Sequence, residues 1–180
     1  MTSRVGIGFD AHPFASGRAL RLGGIEIPNP QGLKGHSDGD ALLHAVADAI
    51  LGACGLASLG EHFPDDDSSL EGADSAPLLA RVSDVARRSG FEIENVDALV
   101  IAESPKIAPH RVAMRARIAE ILDVPIDAVN VRGTSSNGLG FAGRGEGIAA
   151  TAVVLVRSPE PSGRAESGPP GRDDSNPRSL

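Results

Sequence analysis

The sequence predicts an α+β fold: a single domain in which a mixed β-sheet packs on helices. Two observations carry this reading. Val5, Ile7 and Phe9 alternate with Gly6 and Gly8 in the two-residue period of a strand, and Ala98-Leu99-Val100-Ile101 is a short apolar run like a buried strand. Asp40 to Leu56 instead carry apolar residues at helical spacing, with Leu43, Val46 or Ala47, Ile50 and Cys54 along one stripe. The chain has 180 residues and is 41% hydrophobic, which suits one core. It holds five Phe and neither Trp nor Tyr, so small apolar residues must fill much of that core.

In order along the chain, Val5 to Phe9 form the first strand. Leu20 to Ile27 read as a second, interrupted by Gly23-Gly24. Gly32 to Gly39 form a polar, glycine-bearing loop, and Asp38 is placed to cap the helix over 40–56. Ala57 to Asp74 are mostly loop, including the acidic run Asp65-Asp66-Asp67. Asp74 or Ser75 caps a second helix, with Pro77 in its first turn and Gly90 just past its end. Phe91 to Ala102 are strand-rich, and Pro105 and Pro109 bracket a loop. A third helix covers His110 to Leu122, and Ala128–Thr134 and Gly147–Val156 supply two more strands. The domain is assigned to residues 1–157. In residues 158–180, thirteen of 23 are Pro, Gly or Ser, a composition that reads as a disordered tail.

The formal net charge is −7, which argues against a nucleic-acid partner, since that needs clustered Lys and Arg. It leaves room for a phosphorylated substrate, because a metal and backbone amides supply local positive potential. The single cysteine, Cys54, forms no internal disulfide and reads as a small buried hydrophobe. No segment reaches the ~18 apolar residues of a spanning helix, so no membrane partner is expected. The N-terminus moves straight into a strand pattern, without a signal or transit peptide, and cytoplasmic residence is the expectation.

Asp10-Ala11-His12 is the first chemical signal. Residues i and i+2 of a strand share a face, so Asp10 and His12 project together, opposite Val5, Ile7 and Phe9. Pro13 biases His12 toward extended geometry. The second signal is His36-Ser37-Asp38-Gly39-Asp40, followed by His44 and Asp48. Asp40, His44 and Asp48 are four apart and line one helix face, as polar islands in an apolar helix. Such a stripe is a solvated face or it faces a site. His44 could complete a three-ligand metal site with Asp10 and His12, leaving a position open. Either Asp40 or Asp48 could then orient His44.

Residues 134–147, TSSNGLGFAGRGEG, follow a strand. Their hydroxyls and glycines could let backbone amides approach phosphate oxygens. No Gly-Lys-Ser/Thr ends the stretch and it does not open an obvious helix, so it is not a P-loop; taken alone it reads as a turn between strands. Arg144 is a candidate anion clamp.

GIGFDAH, GHSDGDALLHAVADAILGA, HFPDDD, GADS, SPK and LGFAGRGEG, in that order, resemble the 2-C-methyl-D-erythritol 2,4-cyclodiphosphate synthases, from Arg4 to about Arg157. The second and last of these stretches are highly specific. The resemblance implies a homotrimer with active sites between neighbouring subunits. It implies that Asp10, His12 and His44 hold Zn2+ or a similar divalent ion, and that His36 and Ser135 stabilise the transition state. Ala102, Glu103, Ser104, Pro105, Lys106, Ile107 and Ala108 match the segment that holds cytosine. Asp10, Ala11, His12, His36, Ser37, Ser58, Leu59 and Gly60 fall at substrate-contacting positions. So do Phe63, Pro64, Asp65, Asp66 and Asp67, and also Thr134, Ser135, Ser136, Asn137, Phe141 and Arg144. Arg144 and Glu146 match residues near the three-fold axis, where related proteins hold an isoprenoid-phosphate-like ligand. The implied reaction closes a cyclic diphosphate on a cytidine diphosphate substrate and releases CMP.

Three positions depart from the family pattern. Ser135 stands where Thr is usual and keeps the hydroxyl. Asn137 stands where Glu helps hold a second ion, Mg2+ or Mn2+, between the phosphates. Ser58 stands where Asp commonly meets the ribose. Two other readings share parts of this pattern: a metal-dependent phosphohydrolase, and a non-enzymatic trimer that binds isoprenoid phosphates.

Overall fold

The computed structural model describes residues 2–63 and 72–158. Met1, the stretch 64–71 and the tail from 159 lie outside them, so the reading of residues 158–180 as a tail bears on described structure only at Ser158, the end of a strand. The fold is α+β, with seven strands and five helices among the described residues. The strands are β1 Thr2–Ala15, β2 Leu20–Leu22, β3 Ile25–Ile27, β4 Gly32–Leu33, β5 Glu92–Ile101, β6 Val129–Thr134 and β7 Gly147–Ser158. The helices are α1 Ala41–Cys54, α2 Leu59–His62, α3 Ser75–Arg88, α4 Arg111–Leu122 and α5 Gly140–Gly143.

A five-stranded mixed sheet runs β4-β1-β7-β5-β6. Only β5 and β6 are parallel, joined by the crossover that carries α4. The Gly23-Gly24 interruption is the turn of the β2-β3 hairpin, and both glycines take positive φ. The expected helix over 40–56 is α1, buried nearly all round rather than along one stripe, with Ala45, Val46, Ala49 and Ile50 all inaccessible.

The buried face of β1 is its glycine face. A Cβ at Gly6 would stand 2.0 Å from the Ala49 carbonyl oxygen, and one at Gly8 would stand 2.0 Å from that of Ala45. Helix α1 therefore lies directly on the strand backbone, a distance only glycine permits. The neighbouring strands complete this layer with Ile148, Ala150, Ala152 and Val154 of β7 and Val96, Ala98 and Val100 of β5. Val5, Ile7 and Phe9 point the other way and are 65%, 73% and 58% exposed, with Val153 of β7 alongside Ile7.

Three local expectations are corrected. The cap of α1 is Asp40, not Asp38: Asp40 Oδ1 accepts from Leu43 N at 3.0 Å. Asp40 is fully buried because it also accepts from Gly23 N at 2.8 Å and Gly24 N at 2.7 Å, tying the hairpin to the helix start. The glycine-rich stretch after β6 does open a helix, the single turn α5, and the expected loop after residue 57 contains α2. Asp74 caps α3 through Ala76 N at 2.9 Å, one of the two residues expected to do so.

Candidate metal centre

Strand β1 brings Asp10 and His12 to the helix-facing side, and the first turns of α1 bring His44 over them. Asp10 Oδ2 lies 2.8 Å from His12 Nε2 and 2.9 Å from His44 Nδ1, and the two ring nitrogens are 3.2 Å apart. The three side chains could hold a metal ion, and all are partly buried. On its far side His12 donates from Nδ1 to the Lys34 carbonyl at 2.8 Å, which leaves Nε2 as the coordinating nitrogen. One carboxylate and two imidazoles converging from one side are a zinc-type donor set with a position left open, so the residues fit a divalent cation.

Electrostatics follow from the same contacts. Burial raises the Asp10 carboxyl, but its neighbours His12 and His44, His12 foremost, outweigh it and hold Asp10 well below the usual carboxylate range. Burial opposes a charge on His12, yet the hydrogen bond and charge of Asp10 prevail and push its pKa above the ordinary value.

The expectation that Asp40 or Asp48 orients His44 does not hold. Asp40 is spent on the cap and the hairpin, and Asp48 Oδ1 accepts from Leu59 N at 2.7 Å, fixing the start of α2. His44 Nε2 instead meets Ser75 Oγ at 2.9 Å and Ser37 Oγ at 3.2 Å. Periodicity along α1 cannot reveal this, because the partners come from a loop and from α3.

The triad opens into a cavity of about 360 Å3 lined also by Gly35, His36, Ser37, Asp48, Leu59, Gly60, Phe63 and Leu78. His36 thus stands beside the candidate metal ligands. Its loop is braced by Arg18, whose guanidinium donates to the Gly35 carbonyl at 2.9 Å and to the Ser37 carbonyl. Phe63 lies under the Arg81 guanidinium, 4.8 Å from the ring centre. The Ala11 amide donates to Asp10 Oδ1 at 2.8 Å. The Ser58 hydroxyl donates to Glu61 Oε1 at 2.9 Å, so only its lone pairs remain for a ligand. Pro64, Asp65, Asp66 and Asp67 lie outside the described residues.

A second cavity, of about 520 Å3, is lined by Ala102, Lys106, Ile107, Ala108, Arg111, Arg132, Gly133, Thr134 and Ser135. It collects most of the expected nucleotide segment. Glu103 is not among its walls: its Oε1 accepts from Ser136 N at 3.1 Å and Gly138 N at 3.2 Å and so shapes the loop after β6. Ser104 and Pro105 are likewise not among these walls. In that loop Asn137 takes φ 54° and its Oδ1 accepts from Ser135 Oγ at 3.3 Å. Phe141 is exposed on α5, and Arg144 pairs with Glu146 at 2.6 Å. The two cavities share no lining residue, so within one chain His36 and Ser135 stand apart.

A model of the YgbB family matches residues 3–157. The 2-C-methyl-D-erythritol 2,4-cyclodiphosphate synthase of Halalkalibacterium halodurans is 55% identical over 153 residues, covering 85% of this chain and 98% of that protein. The protein of the same name from Bacillus mycoides is 53% identical over 154 residues, 86% of this chain and 98% of its own length. Among solved structures, IspF of Plasmodium falciparum in complex with CDP has a TM-score of 0.76 at 31% identity, covering 87% of this chain and 96% of that one. The bifunctional IspDF of Campylobacter jejuni has a TM-score of 0.84 at 43% identity over 87% of this chain, which spans 42% of that longer protein.

Proposed function

The chain belongs to the YgbB family, and from that membership we propose that it converts 4-diphosphocytidyl-2-C-methyl-D-erythritol 2-phosphate to 2-C-methyl-D-erythritol 2,4-cyclodiphosphate with release of CMP. This is a phosphorus–oxygen lyase reaction of the non-mevalonate route to isoprenoid precursors, and the cytoplasm is its expected place. The observation that carries the reading is the convergence of Asp10, His12 and His44 beside His36, in a chain whose relatives bear that synthase's name over nearly their whole length.

In the reaction an oxygen of the 2-phosphate bonds to the β-phosphorus and the bond from that phosphorus to CMP breaks. No enzyme nucleophile is needed. The protein must fold a polyanion back on itself and aim donors at charge that develops on phosphate oxygens. Asp10, His12 and His44 would hold Zn2+, which supplies Lewis-acid polarisation of those oxygens when bound. His36 would donate to a phosphate oxygen within the same cavity, a role supported by its position among the cavity walls and by Arg18 bracing its loop. Ser135 is a second donor. Lys106 and the backbone of 102–108 take the cytosine end, and Ser58, Leu59 and Gly60 the ribose side. A second Mg2+ or Mn2+ on the diphosphate would meet Asn137, which offers an oxygen without charge.

A homotrimer accounts for the two separate cavities, since a neighbouring subunit would bring its Ser135 side against this chain's His36 side. The uncovered apolar face of Val5, Ile7, Phe9 and Val153 supports such an assembly, because a sheet face of this kind is normally packed. An isoprenoid-phosphate-like ligand near Arg144 and Glu146 on the three-fold axis belongs to the same reading. Residues 1–157 are taken as the synthase domain and 158–180 as a tail. Phosphorus NMR of purified protein with substrate and Zn2+ tests the function: a cyclic diphosphate and CMP are expected. Free phosphate instead would mark a phosphohydrolase, and unchanged substrate a binding protein.

A further inference from the structure

The GADS stretch, Gly72 to Ser75, enters the reaction nowhere above, yet its serine touches the far side of a candidate metal ligand. Ser75 Oγ lies 2.9 Å from His44 Nε2 and 2.5 Å from Asp38 Oδ1. Asp38 is held for this contact: its Oδ2 accepts from Ser75 N at 3.1 Å, its Oδ1 from Asp40 N at 3.1 Å, and its own amide donates to the Ala73 carbonyl at 2.9 Å. Both serines beside His44 are buried, Ser75 at 1% and Ser37 at 7% exposure.

Counting protons decides the direction of each bond. A carboxylate that already accepts from two backbone amides offers only lone pairs, so the single hydroxyl hydrogen of Ser75 goes to Asp38. Toward His44 the Ser75 oxygen can then only accept, so the 2.9 Å contact is a hydrogen bond only when Nε2 carries the ring hydrogen. With the Ser75 hydrogen on Asp38, the contact of Ser37 Oγ with Ser75 Oγ at 3.3 Å is a hydrogen bond only if Ser37 donates, and Ser37 Oγ itself accepts from Gly39 N at 3.4 Å. In a neutral imidazole with its hydrogen on Nε2, Nδ1 bears the lone pair, and Nδ1 is the atom that faces Asp10 and His12.

We propose that Asp38 and Ser75 form a hydrogen-bond relay that holds His44 in its Nε2–H tautomer and so presents the Nδ1 lone pair to the cation. Asp38 and Ser75 are positioning residues, acting through His44 and touching neither metal nor substrate. Without the relay, His44 has the option of placing its hydrogen on Nδ1 and donating it to Asp10 at 2.9 Å, which blocks two ligands at once. Asp38 thereby links the loop that carries His36, the start of α1 and the start of α3 to one ring orientation.

The inference rests on the metal-site reading, and the two are separable by experiment. In metal-free protein at pH 8, long-range proton–nitrogen correlation of the His44 ring, assigned against a His44→Asn spectrum, should show the hydrogen on Nε2. Ser75→Ala keeps the backbone bond to Asp38 and the Asp74 cap, and should weaken Zn2+ binding about 10- to 100-fold by chelator competition and admit the Nδ1–H form. Asp38→Asn frees the Ser75 hydrogen and should weaken Zn2+ binding in the same direction. Wild-type protein with the hydrogen on Nδ1, or Ser75→Ala binding Zn2+ within twofold of wild type, overturns the relay. Wild-type protein that binds no Zn2+, with His44 still in the Nε2–H form, overturns the metal reading and leaves the relay standing.

Discussion

His12 and Asn137 show how single side chains set the conditions under which this protein works. The raised pKa of His12 means that a proton and a metal ion compete for Nε2. Zn2+ affinity should therefore fall as pH drops through the His12 titration, about tenfold per pH unit for each proton displaced, and isothermal titration across pH 5–8 checks the slope. Asn137 is one of two described non-glycine residues with positive φ, a conformation Asn tolerates and longer side chains resist. Asn137→Glu should lower the Mg2+ concentration needed for half-maximal activity while costing about 1–2 kcal/mol of stability; equal Mg2+ midpoints would remove Asn137 from the second-ion site. Cys54 is buried, and burial pushes its thiol up against the opposing charge of Arg4. It should react with a disulfide reagent only after unfolding.

Helix α1 is the element that turns sequence into site, because it fixes His44 and rests on the strand that fixes Asp10 and His12. Its position depends on Gly6 and Gly8. Gly8→Ala forces a methyl group to within 2.0 Å of a carbonyl oxygen, so the helix must lift from β1. A loss of about 3 kcal/mol or more in urea unfolding is expected, with Zn2+ affinity falling alongside because the triad is split between the two elements. Asp40 pins the start of the same helix. Its burial raises its carboxyl, opposed by the three backbone amides it accepts from. Asp40→Ala removes the cap and strands the buried Gly23 amide and the partly buried Gly24 amide, an expected loss of about 3 kcal/mol, read by the same unfolding experiment.

For the whole molecule, the sheet has one packed face and one open face. Val5, Ile7, Phe9 and Val153 on the open face leave apolar area in water that one chain cannot cover. If this face packs in the proposed trimer, Ile7→Asp should leave the helix-covered core intact and shift the mass measured by light scattering from trimer to monomer. Activity should fall with it, since His36 and Ser135 line different cavities of one chain. A monomer that keeps full activity would show that the site is complete within one chain.

Unlike the short β4, α2 and α5, the longer strands and helices, the pairing of Asp10 with His12 on one face, and the family membership were legible in the sequence. Each depends on local period or on ordered motifs, and neither needs the chain to close on itself. What the sequence left open was decided by contacts between distant segments. The cap of α1 moved to Asp40 because the Gly23-Gly24 turn folds back onto it. The partners of His44 proved to be Ser75 and Ser37, since the start of α3 and the loop before α1 meet its first turn at a place no spacing within α1 encodes. The apolar side of β1 became the open side because only glycine lets a helix lie on a strand at that distance. Residue type and spacing determined which groups could make a metal site; the packing of α1 against β1 and α3 decided which atoms face the ion.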